Sequence, residues 1–144
     1  MVSDLPTSHA SDLGWLLSSL VHKVPHTRSA LLLSSDGLKK YFHGLDADGA
    51  DKLAAVASGL CSLARSAGVR FAGSDGVRQV VAELDDVLLF VTAAGPGAVL
   101  AVLAGRETDV GVLGYEMGHL VKRVPTYLAT PARHAAAVPG DAMR

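Results

Sequence analysis

Residues 45–68 read LDADGADKLAAVASGLCSLARSAG. Asp46 or Asp48 can accept the unpaired amides of a first helical turn and Gly68 can stop the chain, leaving about five turns of helix between them. Two stripes at helical spacing run along this helix. Leu53, Val56, Leu60 and Leu63, flanked by Ala57 and Ala64, have core character and are expected to lie on a sheet. On the other side Ala55, Ser58, Gly59, Ser62 and Ser66 are all small, where a solvated face would normally carry lysine and glutamate. Small side chains let a second backbone approach closely with little side-chain entropy to lose. This stripe is therefore expected to be a packing surface, with plain exposed helix as the alternative.

Upstream, Leu13, Leu16, Leu17, Leu20, Val21 and Val24 recur at the spacing of one helical face, with Ser11 or Asp12 as cap and Pro25 as stop. The runs Ser29 to Leu33 and Leu38 to Phe42 flank the turn residues SSDG, which predicts an antiparallel hairpin. Downstream, Val77 to Leu84, Val87 to Ala94 and Ala98 to Ala104 predict three more strands joined by short turns. Arg78, Gln79 and Glu83 interrupt the first of these, which marks it as an edge. The other two are nearly continuous apolar runs, as strands covered on both faces require. Within the edge strand, Val80 is where a proline would be expected to remove an inter-strand donor. Thr108 can cap a last helix whose apolar stripe is Val110, Leu113, Met117, Leu120, Val121 and Val124, ended by Pro125.

Strands covered on both faces need helices on both faces. The expected architecture is a three-layer α/β (α+β) sandwich in the order α-β-β-α-β-β-β-α. Its five-stranded antiparallel sheet has the long middle helix on one face and the two terminal helices on the other. Residues 1–10 are expected as a flexible N-terminal arm, 11–129 as the domain and 130–144 as a disordered tail.

The chemistry of the chain points away from catalysis. Thirteen Lys and Arg balance fourteen Asp and Glu in 144 residues, so no broad field exists to hold a phosphate backbone or an anionic membrane. No stretch approaches the ~20 apolar residues of a membrane span, and one cysteine, Cys61, builds no disulfide framework, which suits the cytoplasm. The six histidines, His9, His22, His26, His43, His119 and His134, are dispersed; only His22 and His26 have i, i+4 spacing, and Pro25 stands between them. Asp46, Asp48, Gly49 and Asp51 lack the order and the closing glutamate of a calcium loop. Neither Gly95-Pro96-Gly97 nor the glycines from Gly111 to Gly118 match a phosphate cradle. No catalytic residue, metal or cofactor is expected.

The segments WLLSSLVHKVPHTRSALLLSSDGL (15–38), LAAVASGLCSLARSAG (53–68), VRQVVAELDDVLLFVTAAGPGAVLAVLAG (77–105) and DVGVLGYEMGHLVKRV (109–124) occur here in one order. Together they resemble the bacterial roadblock family of dynein-light-chain-like domains, in its actinobacterial conservon branch. The resemblance covers about Asp12 to Thr130; Gly14 stands where relatives usually have a polar residue. It implies a homodimer formed by edge pairing of the third strand and antiparallel contact of the second helix. On that basis the expected interface is Ala55, Ser58, Gly59, Ser62, Ser66, Val77, Arg78, Val80 and Ala82. It also implies a non-enzymatic adaptor or regulator of a small Ras-like GTPase, without an arginine finger, with a histidine-kinase-like sensor as a further partner. Such a protein would be cytoplasmic and recruited to the inner membrane face by its partners, with no nucleic acid bound. A small-molecule-sensing domain of similar shape is the alternative, and it would need a polar-studded apolar cavity.

Overall fold

The computed structural model describes the backbone of residues 4–137. The elements are α1 (Asp4–Lys23), β1 (Thr27–Ser34), β2 (Lys39–His43), α2 (Ala47–Ala72), β3 (Gln79–Glu83), β4 (Val87–Ala93), β5 (Ala98–Gly105) and α3 (Val110–Ala137). This is the α-β-β-α-β-β-β-α order expected. The sheet runs β2-β1-β5-β4-β3 with every neighbouring pair antiparallel. The predicted hairpin β1–β2 and the first pair of the three-strand run, β3–β4, lie on the outside, and β5 returns beside β1 to close the middle.

Strand alternation builds two cores. Leu32, Phe90, Leu100 and Val102 face Leu13, Leu17, Leu113, Met117 and Val124 of α1 and α3. Leu31, Leu33, Leu89, Val91 and Ala101 face α2 on the other side. Every one of Ala30 to Leu33 is fully buried, which is why β1 reads as a continuous apolar run rather than an alternating one.

Helix ends differ from the sequence expectation at four places. Residues 4–10, expected as a loose arm, are helical: Pro6 falls in the first turn, where its missing N–H costs no backbone bond. Met1 to Ser3 lie outside the described residues. The middle helix is capped by Asp46, whose carboxylate accepts from the Gly49 amide at 2.7 Å, but it runs past Gly68 to Ala72. Gly73, at φ 72° and donating its N–H to the Gly68 carbonyl, makes the left-handed stop. At the last helix Asp109 rather than Thr108 is the cap, accepting from Val112 N at 3.1 Å, while Thr108 is buried. That helix passes through Pro125 to Ala137, so residues 130–137 of the expected tail are helical; 138–144 lie outside the described residues. A proline in a helix forfeits one i→i−4 bond and need not end it.

Candidate functional site

Among the surfaces that this frame leaves without a partner inside the protomer are the outward face of α2 and the β3 edge. On α2 the face buried against the sheet is Ala50, Leu53, Ala54, Ala57 and Cys61, with Leu60 partly covered. The expected core stripe is therefore rotated. Val56 and Leu63 do not enter the core; they are 50% and 70% exposed. Alanines and a cysteine make up most of the face against the sheet, where close packing favours small side chains, and of the large residues of the expected stripe only Leu53 and, in part, Leu60 pack there. Val56 and Leu63 point outward, flanking Gly59 one turn from each.

Of the small-stripe residues, Ala55, Gly59, Ser62 and Ser66 lie exposed on that outward face beside Val56 and Leu63. Ser58 does not. It is half-buried and turned to the β1–β2 hairpin, where a Cβ built at Gly37 would stand 3.3 Å from its Oγ. Gly59 has nothing within 4 Å of the space its Cβ would fill. Past these, Val69 and Phe71 continue the helix with 55% and 81% exposure.

The sheet has two open edges, β2 and β3. β2 carries Lys39 and Lys40, and Lys39 pairs with Asp51 of α2 at 2.6 Å; charge of this kind blunts an edge against pairing. β3 offers Gln79, Val81 and Glu83 outward, with Val81 51% exposed, while Val80 and Ala82 turn to the α2 core. Val77 and Arg78 precede the strand; the Arg78 carbonyl accepts from Thr92 Oγ1 at 2.9 Å and from Ala93 N at 3.2 Å. Arg106 braces the far end, 3.5 Å from Glu83 Oε2. Val81, paired with Phe90, stands on the sheet face away from α2, but of the eleven large apolar side chains exposed among the described residues four, Val56, Leu63, Val69 and Phe71, belong to α2. That concentration marks this side as a contact surface rather than scattered solvent-facing residues.

Among the described residues no group of three or more His, Cys, Asp and Glu could hold a metal ion, and no helix is long and apolar enough to cross a membrane. His26 sits at φ 72°, outside the helix that carries His22, so the i, i+4 pair falls apart. His22 instead lies near His43 of β2, ring centroids 5.4 Å apart, a neighbour that linear spacing could not show. Among the described residues the central strands carry fully buried side chains on both faces, and two grooves are open surface: one between α1 and α3, one beside Arg65, Ser66, Val69 and Arg70.

Cys61 is buried against the sheet, and burial pushes its thiol up from the ordinary value, with Arg65 one turn on pulling it partly back. A raised folded value contributes stability that is present below the unfolded thiol range and lost as pH rises through the folded value. Wild-type protein should accordingly lose more stability than Cys61→Ala as the pH is raised past the ordinary thiol range. At neutral pH the folded chain should react with iodoacetamide at least about tenfold more slowly than the denatured chain, because the thiolate is the reacting form. Equal rates would contradict the buried placement.

Comparison with known proteins places this geometry. The Roadblock/LC7 domain family model matches residues 13–104. A Roadblock/LC7 domain from Streptomyces avermitilis is 65% identical, with 81% of this chain and 98% of that one covered and a TM-score of 0.79. A second structure of a Roadblock/LC7 domain from the same organism is 41% identical over 77% of this chain and 96% of its own, TM-score 0.64. MglB from Myxococcus xanthus, 16% identical over 83% and 96% of the two chains with TM-score 0.72, shares the fold. Comparison with curated proteins gives no match. With the family model covering more than half of its length, this chain belongs to the Roadblock/LC7 family.

Proposed function

We propose that the chain is a non-enzymatic homodimeric adaptor that regulates a small Ras-like GTPase in a bacterial signalling system. The observation that carries the reading is the outward side of α2 and β3. It joins a Gly59 with open space around it, flanking Val56 and Leu63, and an uncharged stretch of strand edge. An isologous two-fold contact, helix against helix and edge against edge, covers all of these at once. MglB, which shares the fold, has been solved in an arrangement described as tetrameric, which supports self-association as a habit of this architecture. In this reading the buried contact is made by Ala55, Val56, Gly59, Ser62, Leu63 and Ser66 of α2 and by the β3 edge. Ser58, Val80 and Ala82 support it from within the protomer.

A protein without a nucleotide fingerprint or catalytic cluster acts on a GTPase by binding its nucleotide states unequally. The dimer works in the cytoplasm, drawn to the inner membrane face by the proteins it binds, among them a histidine-kinase-like sensor. The test is calorimetric titration with a candidate Ras-like GTPase from the same organism, loaded with GDP or with a non-hydrolysable GTP analogue. The two forms should differ in affinity by about tenfold or more, which is about 1.4 kcal/mol of coupling. Equal affinity would reduce the protein to a passive scaffold; binding to neither form would remove the GTPase partnership.

A further inference from the structure

On the opposite side of the sheet from α2, the two terminal helices leave a groove of about 310 Å³ between them. Its floor is apolar: Leu16, Leu20 and Leu120 line it and are almost fully buried. Its rim is cationic. Lys23 and Arg123 stand at the lining, Lys122 is exposed on the turn beside Arg123, and the lone acid of the lining, Glu116, is already engaged by Lys23 at 3.6 Å. Among the described residues neither Lys122 nor Arg123 forms an ion pair.

Aromatic side chains stand uncovered on the two helices that bound this groove. Tyr115 is 65% exposed and held by His119, ring centroids 4.5 Å apart in an edge-to-face contact. Trp15, one turn before Ser19 of the lining, is 62% exposed on α1, and Val112 adds a further open apolar side chain one turn before Glu116. Exposed Trp and Tyr beside Arg are the residue types that anchor protein interfaces. None of them belongs to the side proposed for the dimer.

We propose that this groove docks an amphipathic acidic helix of a partner protein. The apolar floor takes side chains at i, i+3 and i+4 spacing, as helix-in-groove recognition requires. The cationic rim selects acids flanking them, and Glu116, occupied by Lys23, repels them least at that end. Concavity separates this occupant from a bilayer, which would need a flat or convex face to bury aromatic side chains. The site is distinct from the GTPase reading and neither depends on it nor supports it.

The chain has a single tryptophan, so Trp15 reports its own covering. A displayed library of random peptides, each long enough for about four helical turns, is selected against the full-length protein. Enriched peptides should carry more Asp and Glu than the unselected library and apolar residues at helical spacing. As synthetic peptides they should shift Trp15 emission to the blue. Tyr115→Ala and Arg123→Glu should each weaken them by about tenfold or more, while Arg123→Lys retains most of the affinity. Sedimentation should be unchanged in all three variants. Tyr115→Ala, at an exposed position, keeps the test decisive if Arg123→Glu disturbs the fold. Enrichment without an acidic excess, or binding indifferent to both substitutions, overturns the proposal. So does an equal Trp15 shift with phosphatidylglycerol vesicles, which would assign the surface to lipid.

Discussion

The double variant Gly59→Leu with Ser62→Arg should sediment as a monomer at micromolar concentrations where the wild-type chain is expected to be a dimer. Inside the protomer the change is nearly free. Nothing lies within 4 Å of a Cβ at Gly59, and Ser62 is exposed. Replacing a helical glycine even adds about 0.5–1 kcal/mol of helix stability. Any lost association must then come from the second copy, whose backbone can no longer approach and against which a guanidinium would be buried unpaired. We expect self-association at least about a hundredfold weaker, about 2.7 kcal/mol, with helical content retained. Gly114 is an equally open helical glycine on α3, so Gly114→Leu should leave the dimer alone. A double variant that dimerises normally, or a Gly114→Leu that dissociates as readily, would refute the helix contact.

The element order was legible because each signal was local: turn chemistry at SSDG and at Gly95-Pro96-Gly97, and one apolar stripe on each terminal helix. The orientation of α2 was not, and the cause is specific. A hydrophobic-moment argument assigns the largest apolar residues to the core, which favours Val56 and Leu63 over Ala50, Ala54 and Cys61. Packing against a sheet selects by separation as well as by polarity, and a helix that settles close needs small residues underneath. Large apolar residues left on the outside are then a sign of a partner. Cap positions failed for a related reason. Thr108 and Asp109 both have capping side chains, and only the fold shows that Thr108 is buried while Asp109 reaches Val112 N. Gly68 and Gly73 are likewise both able to stop α2, and the choice falls on the one that takes the left-handed angle. The α1–α3 groove was beyond sequence entirely, because Lys23 and Arg123 are brought together only by the pairing of chain ends.

Strand register decides which proline reads the β3 edge. Leu84 donates to the Val87 carbonyl at 2.9 Å and Ala93 to the Arg78 carbonyl at 3.2 Å, and the register pairs Val80 with Val91 and Ala82 with Leu89. In an antiparallel ladder hydrogen-bonded pairs alternate, so the amides of Val80 and Ala82 point into the sheet and those of Gln79, Val81 and Glu83 point outward. The position suggested by sequence pattern, Val80, is therefore the wrong probe. Val80→Pro removes a bond to β4 and should destabilise the protomer itself by about 1–3 kcal/mol, the cost of an acceptor left unmatched on Val91. Val81→Pro sacrifices only an outward donor, at an edge position where proline is tolerated. If β3 pairs with β3 of a second copy, Val81→Pro should weaken the dimer by about tenfold or more while the protomer unfolds at nearly the wild-type denaturant midpoint. Sedimentation at several concentrations and denaturant unfolding of the same samples separate the two effects. A Val81→Pro protein that dimerises with unchanged affinity would show that the edge is not used and that the outward face of α2 carries the association alone.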